Sequence, residues 1–271
     1  MGNFYICPTP IGNLKDISER LENTLSEVDI VYAEDTRVAK KLLSHLNLKK
    51  EVHSYFKGNE KEKISEILNL LNKDKSIAMI SDAGTPLISD PGNMLIKELI
   101  KEKIQIVSIP GPSSVLVALT LSGFDIDKFT FFGFVPKAGK ERSYFYKTIS
   151  ELAHPLVCFT SPKRLKKDLE DFVKNNLENQ IVVCRELTKK FESIYRGNAQ
   201  ELLNDIPTEK YRGEITLVID KTKNKSAIDI NIEELAKKLI MYEVPKREIA
   251  KIISSLNNEK VNKIYDSIKN L

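Results

Sequence analysis

Apolar residues in the first hundred or so positions gather into short blocks that alternate with longer amphipathic stretches. Phe4 to Cys7, Val28 to Ala33, Glu51 to Tyr55, Ile77 to Ile80 and Ile104 to Ile109 have the length and content of buried strands. Asp35 to Leu46, Asn59 to Leu71 and Asn93 to Lys103 read as the helices between them, the second with Ile64, Ile67, Leu68 and Leu71 at helical spacing. Strand, helix and strand joined by right-handed crossovers predict a parallel sheet with helices on both faces. A further helix begins near Ser113, and Gly123 to Lys128 reads as a hinge. The pattern then repeats, with strands expected at Phe129 to Val135, Leu156 to Thr160, Ile181 to Cys184 and Glu214 to Ile219, and helices near Lys140 to Leu152 and Lys163 to Asn175. Gln180 to Cys184, Phe191 to Tyr195 and Ile215 to Ile219 are separated by short connections, so this second sheet is expected to be mixed or antiparallel. The polar segment Lys221 to Asp229 reads as a linker. Three short helices follow at Ile232 to Tyr242, Lys246 to Leu256 and Glu259 to Leu271, with Pro245 opening the second. The expectation is an α/β protein with domains at 1–118 and 119–222 and a linker with a helical basic tail at 223–271.

Two of the predicted strands run straight into loops dense in Gly and Pro: Ser81-Asp82-Ala83-Gly84-Thr85-Pro86 after Ile80, and Pro110-Gly111-Pro112-Ser113-Ser114 after Ile109. A third, Pro8-Thr9-Pro10-Ile11-Gly12-Asn13-Leu14, follows the first strand. Ligands of open α/β sheets bind at the carboxyl ends of the strands, where these loops lie. None of the eleven glycines form a G-x-G pair, and no G-x-x-x-x-G-K-[ST] run exists, so both phosphate-binding fingerprints are absent. Proline offers a carbonyl but no N–H, so such loops suit adenine, ribose or a cation better than pyrophosphate; the plain alternative is a set of tight turns.

Composition narrows the class. Hydrophobic residues at 41% and charged residues at 30% describe a globular chain, with no apolar run long enough to span a bilayer and no charged n-region ahead of an apolar h-region, so a cytoplasmic protein is expected. Cys7, Cys158 and Cys184 sit in strand-like runs and read as buried reduced thiols, while His45, His53 and His154 show no ligand spacing, so no metal is expected. Residues 1–220 hold 31 basic and 31 acidic side chains, and residues 221–271 hold 11 and 7, which places the whole net charge of +4 in the tail. Either the tail contacts RNA or it is a solvated helical cap in a chain with 34 Lys and 8 Arg.

After the second strand, Glu34-Asp35-Thr36-Arg37 brings two carboxylates and a guanidinium to the sheet edge. Asp35 or Thr36 can cap the following helix, or the cluster can face a substrate, with Arg37 as a planar bidentate donor.

Pro8 to Leu14, Glu34 to Arg37, the run SDAGTPLISDPG from Ser81 to Gly92, Pro110 to Ser114, Phe131 to Pro136 and Gly213 to Thr216 together resemble the bacterial 16S ribosomal RNA 2′-O-methyltransferases that modify a cytidine in the decoding region. These belong to the tetrapyrrole-methylase class of S-adenosylmethionine enzymes (class III methyltransferases), and the resemblance covers essentially the whole chain. It implies two α/β domains, S-adenosylmethionine in the cleft between them, a homodimer, and 16S rRNA, within the small ribosomal subunit, as partner. It assigns the cofactor to Pro8, to the loop residues Ser81, Asp82, Gly84, Thr85, Pro86 and Ile88, to Ser113 and Ser114, and to Phe159, Leu187 and Thr216 of the second domain. Methyl transfer to a ribose hydroxyl needs alignment and removal of a proton. Asp35 or Glu34 could act as the base, and Arg37 and Arg20 could hold phosphate or lower the hydroxyl pKa. The competing readings are carbon methylation of a tetrapyrrole such as uroporphyrinogen or a precorrin, which needs no basic tail, and a non-catalytic RNA binder, which the absence of an RNP-like aromatic run or a G-x-x-G clamp disfavours.

Overall fold

The computed structural model describes residues 1–207, 212–222, 232–257, 260–269 and 271. They divide into two compact units, Met1–Asp220 and Lys221–Leu271. Most of the expected linker, from residue 223 to Asp229, and the start of the last expected helix at Glu259 lie outside the described residues.

The larger unit contains two five-stranded sheets. In the first, β1 (Phe4–Cys7), β2 (Ile30–Ala33), β3 (Glu51–Ser54), β4 (Ile77–Ile80) and β5 (Ile106–Ser108) are all parallel in the order β3-β2-β4-β1-β5. Both faces are covered, which is why β2 and β4 are apolar at every position instead of alternating. On one face α3 (Glu60–Asn72) and α4 (Asn93–Lys101) pack Ile64, Ile67, Leu71, Leu95 and Leu99 against Phe4, Ile77 and Met79. On the other, α1 (Glu19–Glu27) and α2 (Thr36–His45) pack Leu21, Leu25, Ala39, Leu42 and Leu43 against Val31, Ala78 and Ile80. Helix α1 goes beyond the expected elements. Ser18 caps it by accepting the Leu21 N–H at 3.1 Å, and its last turn absorbs Val28, which belongs to the helix cap and not to β2.

The second sheet is mixed: β6 (Thr130–Phe134), β7 (Leu156–Thr160), β8 (Ile181–Arg185), β9 (Ser193–Gly197) and β10 (Ile215–Ile219) follow the order β6-β7-β10-β8-β9, with only β6 and β7 parallel. Strand β9 starts two residues later than the apolar run suggests, because Phe191 stands in the preceding turn, 68% exposed. One face is packed by α6 (Gly139–Ser150), α7 (Pro162–Lys174) and α8 (Ala199–Asp205). The other face receives α5 (Ser114–Ser122), which follows β5 of the first sheet and whose Val115, Ala118 and Leu119 pack with Val157, Val182 and Val218. This helix is apolar on nearly every side although Leu116 and Thr120 are exposed, and the expected boundary at residue 118 falls within it.

The smaller unit consists of α9 (Ile232–Met241), α10 (Lys246–Asn257) and α11 (Val261–Ile268), which enclose their own core of Ala236, Ile249, Ala250, Ile253, Ile264 and Ile268. Among the described residues no helix is long and apolar enough to cross a membrane.

Candidate active site

Parallel order brings the loops after β1, β2, β4 and β5 to one edge of the first sheet, and hydrogen bonds tie three of them together. Thr9 and Gly84 exchange backbone bonds of 2.9 and 3.0 Å. The Thr9 hydroxyl donates to the Ser81 carbonyl at 3.0 Å, Ser81 Oγ donates to the Gly84 carbonyl at 2.6 Å, and Thr85 Oγ1 donates to the Pro112 carbonyl at 3.1 Å. The prolines and short hydroxyls of these loops therefore build a rigid wall.

That wall is one side of a cavity of about 370 Å³ between the two sheets. The first lobe lines it with Ile11, Glu34, Asp82, Ala83, Gly84, Thr85, Ile88, Ser89, Asp90 and the amino end of α5 at Ser113, Ser114 and Val115. The second lobe contributes Phe134, the β7 end with the start of α7 (Phe159 to Pro162), Cys184, Leu187 and Gly213 to Thr216. Phe134 reaches the cavity through a bulge: pairing of β6 with β7 slips between Phe131 and Phe134, and Gly133 sits at φ +75°. The displaced Phe134 ring meets Phe159 edge-on, with centroids 5.4 Å apart.

A family profile of tetrapyrrole (corrin/porphyrin) methylases matches residues 3–203. A ribosomal RNA small subunit methyltransferase I of Thermotoga maritima is 41% identical over 219 residues, which are 81% of this chain and 98% of that one. Its namesake in Haemophilus influenzae is 37% identical over 270 residues, covering 97% of this chain and 95% of its own. The chain belongs to the ribosomal RNA small subunit methyltransferase I family of tetrapyrrole methylases. Its fold is also that of the uroporphyrin-III C-methyltransferase of Thermus thermophilus, solved in complex with S-adenosylhomocysteine: TM-score 0.57 at 14% identity, covering 82% of this chain and 98% of that one.

In this methylase, Asp82, Gly84, Thr85, Ile88, Ser113, Ser114, Phe159, Leu187, Thr216 and Glu34, all expected from the sequence, line the one cavity. Five other expected residues do not. Ser81 lies beneath the wall as a tie between loops, Pro86 lines a small recess with Glu34 and Asp90, and the Pro8 ring is stacked on Gly111, where a Cβ would lie 2.3 Å from Pro8 Cγ. Asp35 caps α2 through the Arg37 N–H at 2.8 Å and grips the Arg37 guanidinium at 3.0 and 2.6 Å. This pairing holds the Asp35 carboxyl down to about 2, so Asp35 is a poor proton acceptor, and Arg37 is exposed to solvent and does not line the cavity.

Ser89, Asp90, Phe134, Gly213 and Glu214 line the cavity without having been singled out individually, though each lies in or beside a motif that carries the family resemblance. The electrostatics are one-sided: among the described residues no Lys, Arg or His lines the cavity, while Glu34, Asp82, Asp90 and Glu214 do. Partial burial, then the charge of Asp82, raises the Glu34 pKa. Burial also raises Asp82, although the Asp35 N–H opposes it. Asp90 is pushed up to about 6, first by burial and then by the charges of Glu34 and Asp82. A cavity with crowded carboxylates, apolar and aromatic walls and helix amino ends fits a zwitterion with an added positive centre and a flat aromatic end. Cys7 and Cys184 are pushed up to about 12 by burial, so their thiols stay protonated.

Proposed function

We propose that the chain methylates the RNA of the small ribosomal subunit at the 2′-hydroxyl of a cytidine in the decoding region of 16S rRNA, with S-adenosylmethionine as the methyl donor. The observation that carries this reading is the composition of the interlobe cavity: carboxylates without a single lining cation, beside aromatic walls and two helix amino ends. When bound there, S-adenosylmethionine supplies a methyl group already activated by its positive sulfur. Glu34, Asp82 and Asp90 complement that positive charge. The free amides at the start of α5, around Ser114 and Val115, complement a carboxylate. Phe134, Phe159 and Leu187 give a flat base an apolar bed.

RNA reaches the cavity past α2, whose exposed face carries Arg37, Lys40 and Lys41 with no acidic residue between Thr36 and His45. A homodimer, a cytoplasmic location and the assembled small subunit as substrate belong to the same reading. Its test is methyl acceptance. Small subunits that lack the modification should take radiolabelled methyl groups from the purified protein, and uroporphyrinogen should take none; the reverse result removes the reading.

A further inference from the structure

Among the described residues from 2 to 50, the exposed large apolar side chains are Leu14 and Val38, and both line one groove of about 280 Å³ on the first lobe. Pro10, Ala39, Leu42 and Ile80 complete its apolar lining. Leu14 is fixed there by a capped 3-10 turn, Leu14–Asp16, that buries none of its own residues: the Asn13 side chain accepts the Lys15 N–H at 3.1 Å. Val38 stands one turn before Leu42 on α2, so the two share a helix face. The hydroxyls that line the groove have no hydrogen to offer a ligand, because Thr9 donates to the Ser81 carbonyl and Ser81 to that of Gly84. The groove therefore suits the faces of a flat apolar ring better than its edge. Thr9 lines the groove, Gly84 lines the methyl-transfer cavity, and the two are paired through their backbones, while Asp82 lines both. Groove and cavity thus lie on either side of one thin wall. Lys41 also lines the groove, with Arg37 one turn before it and Lys40 beside it, and neither lysine has an acidic partner among the described residues. Apolar walls next to free cations fit a polyanion that carries flat rings.

We propose that this groove takes an unpaired nucleobase of the acceptor strand, from a nucleotide next to the one being methylated, with Lys40 and Lys41 toward the phosphates beside it. The inference rests on the RNA reading above. A strand that places one ribose in the cavity must lay its neighbouring nucleotides on the surface around it, and the groove is an apolar recess one wall away. Single-stranded RNA can splay its bases into such a recess, whereas a double helix keeps them stacked. Contact between a base face and apolar walls tolerates any base, so the groove grips the strand without choosing the nucleotide. Its loss therefore appears as weaker binding of the RNA substrate and leaves the cofactor in place.

The experiment is single-turnover methyl transfer with the small subunit as titrant, each protein normalised to the fraction that binds S-adenosylmethionine in calorimetry. Val38→Glu puts a charge where the base would lie and should raise the half-saturating subunit concentration about fivefold or more, with S-adenosylmethionine affinity within about twofold of wild type. Val38→Leu keeps the wall apolar and should stay within about twofold of wild type in both. Lys41→Ala should weaken subunit binding and lower its salt slope by about one. Leu14→p-benzoylphenylalanine, irradiated in the complex with the subunit, should crosslink to 16S rRNA close to the methylated nucleotide. A half-saturating concentration for Val38→Glu within about twofold of wild type overturns the proposal, as does a crosslink to ribosomal protein alone. Equal losses of cofactor and subunit affinity also overturn it, because the groove would then act only through the wall it shares with the cavity. A wild-type protein that methylates no small subunit fails before any variant is compared, and that is the separate failure of the RNA reading.

Discussion

At Gly84 the backbone takes φ +84° while pairing with Thr9, and a Cβ there would come within 3.3 Å of Ile11 Cγ2 and 3.6 Å of the Pro112 carbonyl. Left-handed backbone costs a residue with a Cβ about 1–2 kcal/mol, more if branched, so Gly84→Val should shift the wall and weaken S-adenosylmethionine binding at least about tenfold by calorimetry, with an unchanged circular dichroism spectrum. Asp90 gives a prediction of opposite sign for stability. Its folded-state pKa of about 6 lies above the ordinary 3.8, so its contribution is fully present below about pH 4 and is lost as pH rises through 6. Asp90→Asn should therefore match wild type near pH 4 and melt higher at pH 7, by about 1 kcal/mol once partial exposure is discounted. Equal melting temperatures at pH 7 would mean that the carboxyl is not destabilised there. The two residues also mark what the sequence discloses. Gly84 was legible because its loop follows an apolar strand at the carboxyl edge of a parallel sheet, where ligands of such sheets bind. Asp90 stands in the same motif, but its raised pKa depends on burial within the folded Leu87 to Pro91 segment and on the Glu34 carboxylate of another loop beside Asp82 of its own, which no local pattern reveals.

Among the elements, the second lobe depends on one buried network. Arg142 of α6 donates to Asp168 at 2.8 Å, to Asp171 at 2.7 and 2.9 Å and to the Pro136 carbonyl at 2.7 Å. Arg164 bonds the Val135 and Pro136 carbonyls at 2.8 Å each, and the Thr160 hydroxyl donates to Asp168, which is fully buried. The network fastens the strand ends that carry Phe134 and Thr160 to α6 and α7. Asp168→Ala removes the buried carboxylate shared by Arg142, Arg164 and Thr160, leaves Arg142 with Asp171 and the Pro136 carbonyl, and should cost about 3 kcal/mol in denaturant unfolding; a loss below about 1 kcal/mol would show that the network carries little. Strand positions were readable from apolar blocks because buried parallel strands are apolar throughout. The Gly133 bulge was not readable, since Phe131-Phe132-Gly133-Phe134 scans as uninterrupted strand and only the register with β7 shows the slip. The short helix α8 was hidden for another reason: its seven residues depend on the Asn198 and Glu201 capping box more than on an apolar stripe.

On the scale of the whole molecule, the alignment that covers 98% of the Thermotoga relative uses only 81% of this chain, and the family profile ends at residue 203. The cavity is lined entirely by residues of the larger unit, and the smaller unit has a core of its own. A chain ending at Asp220 should therefore bind S-adenosylmethionine as the full chain does. Because the tail carries the net charge of +4, the shortened chain should bind small subunits more weakly and with a shallower salt dependence. An identical salt slope would reduce the tail to a structural cap. The charge asymmetry was legible in the residue pattern; the cavity between the two lobes was legible only through the family resemblance, because it needs strand ends from two sheets at once. The most direct test of the account is nucleoside analysis of 16S rRNA from small subunits treated with the protein and S-adenosylmethionine. The account predicts a single new 2′-O-methylcytidine, absent when the protein is omitted. A methyl group on a base atom, or no methylated nucleoside at all, would contradict it.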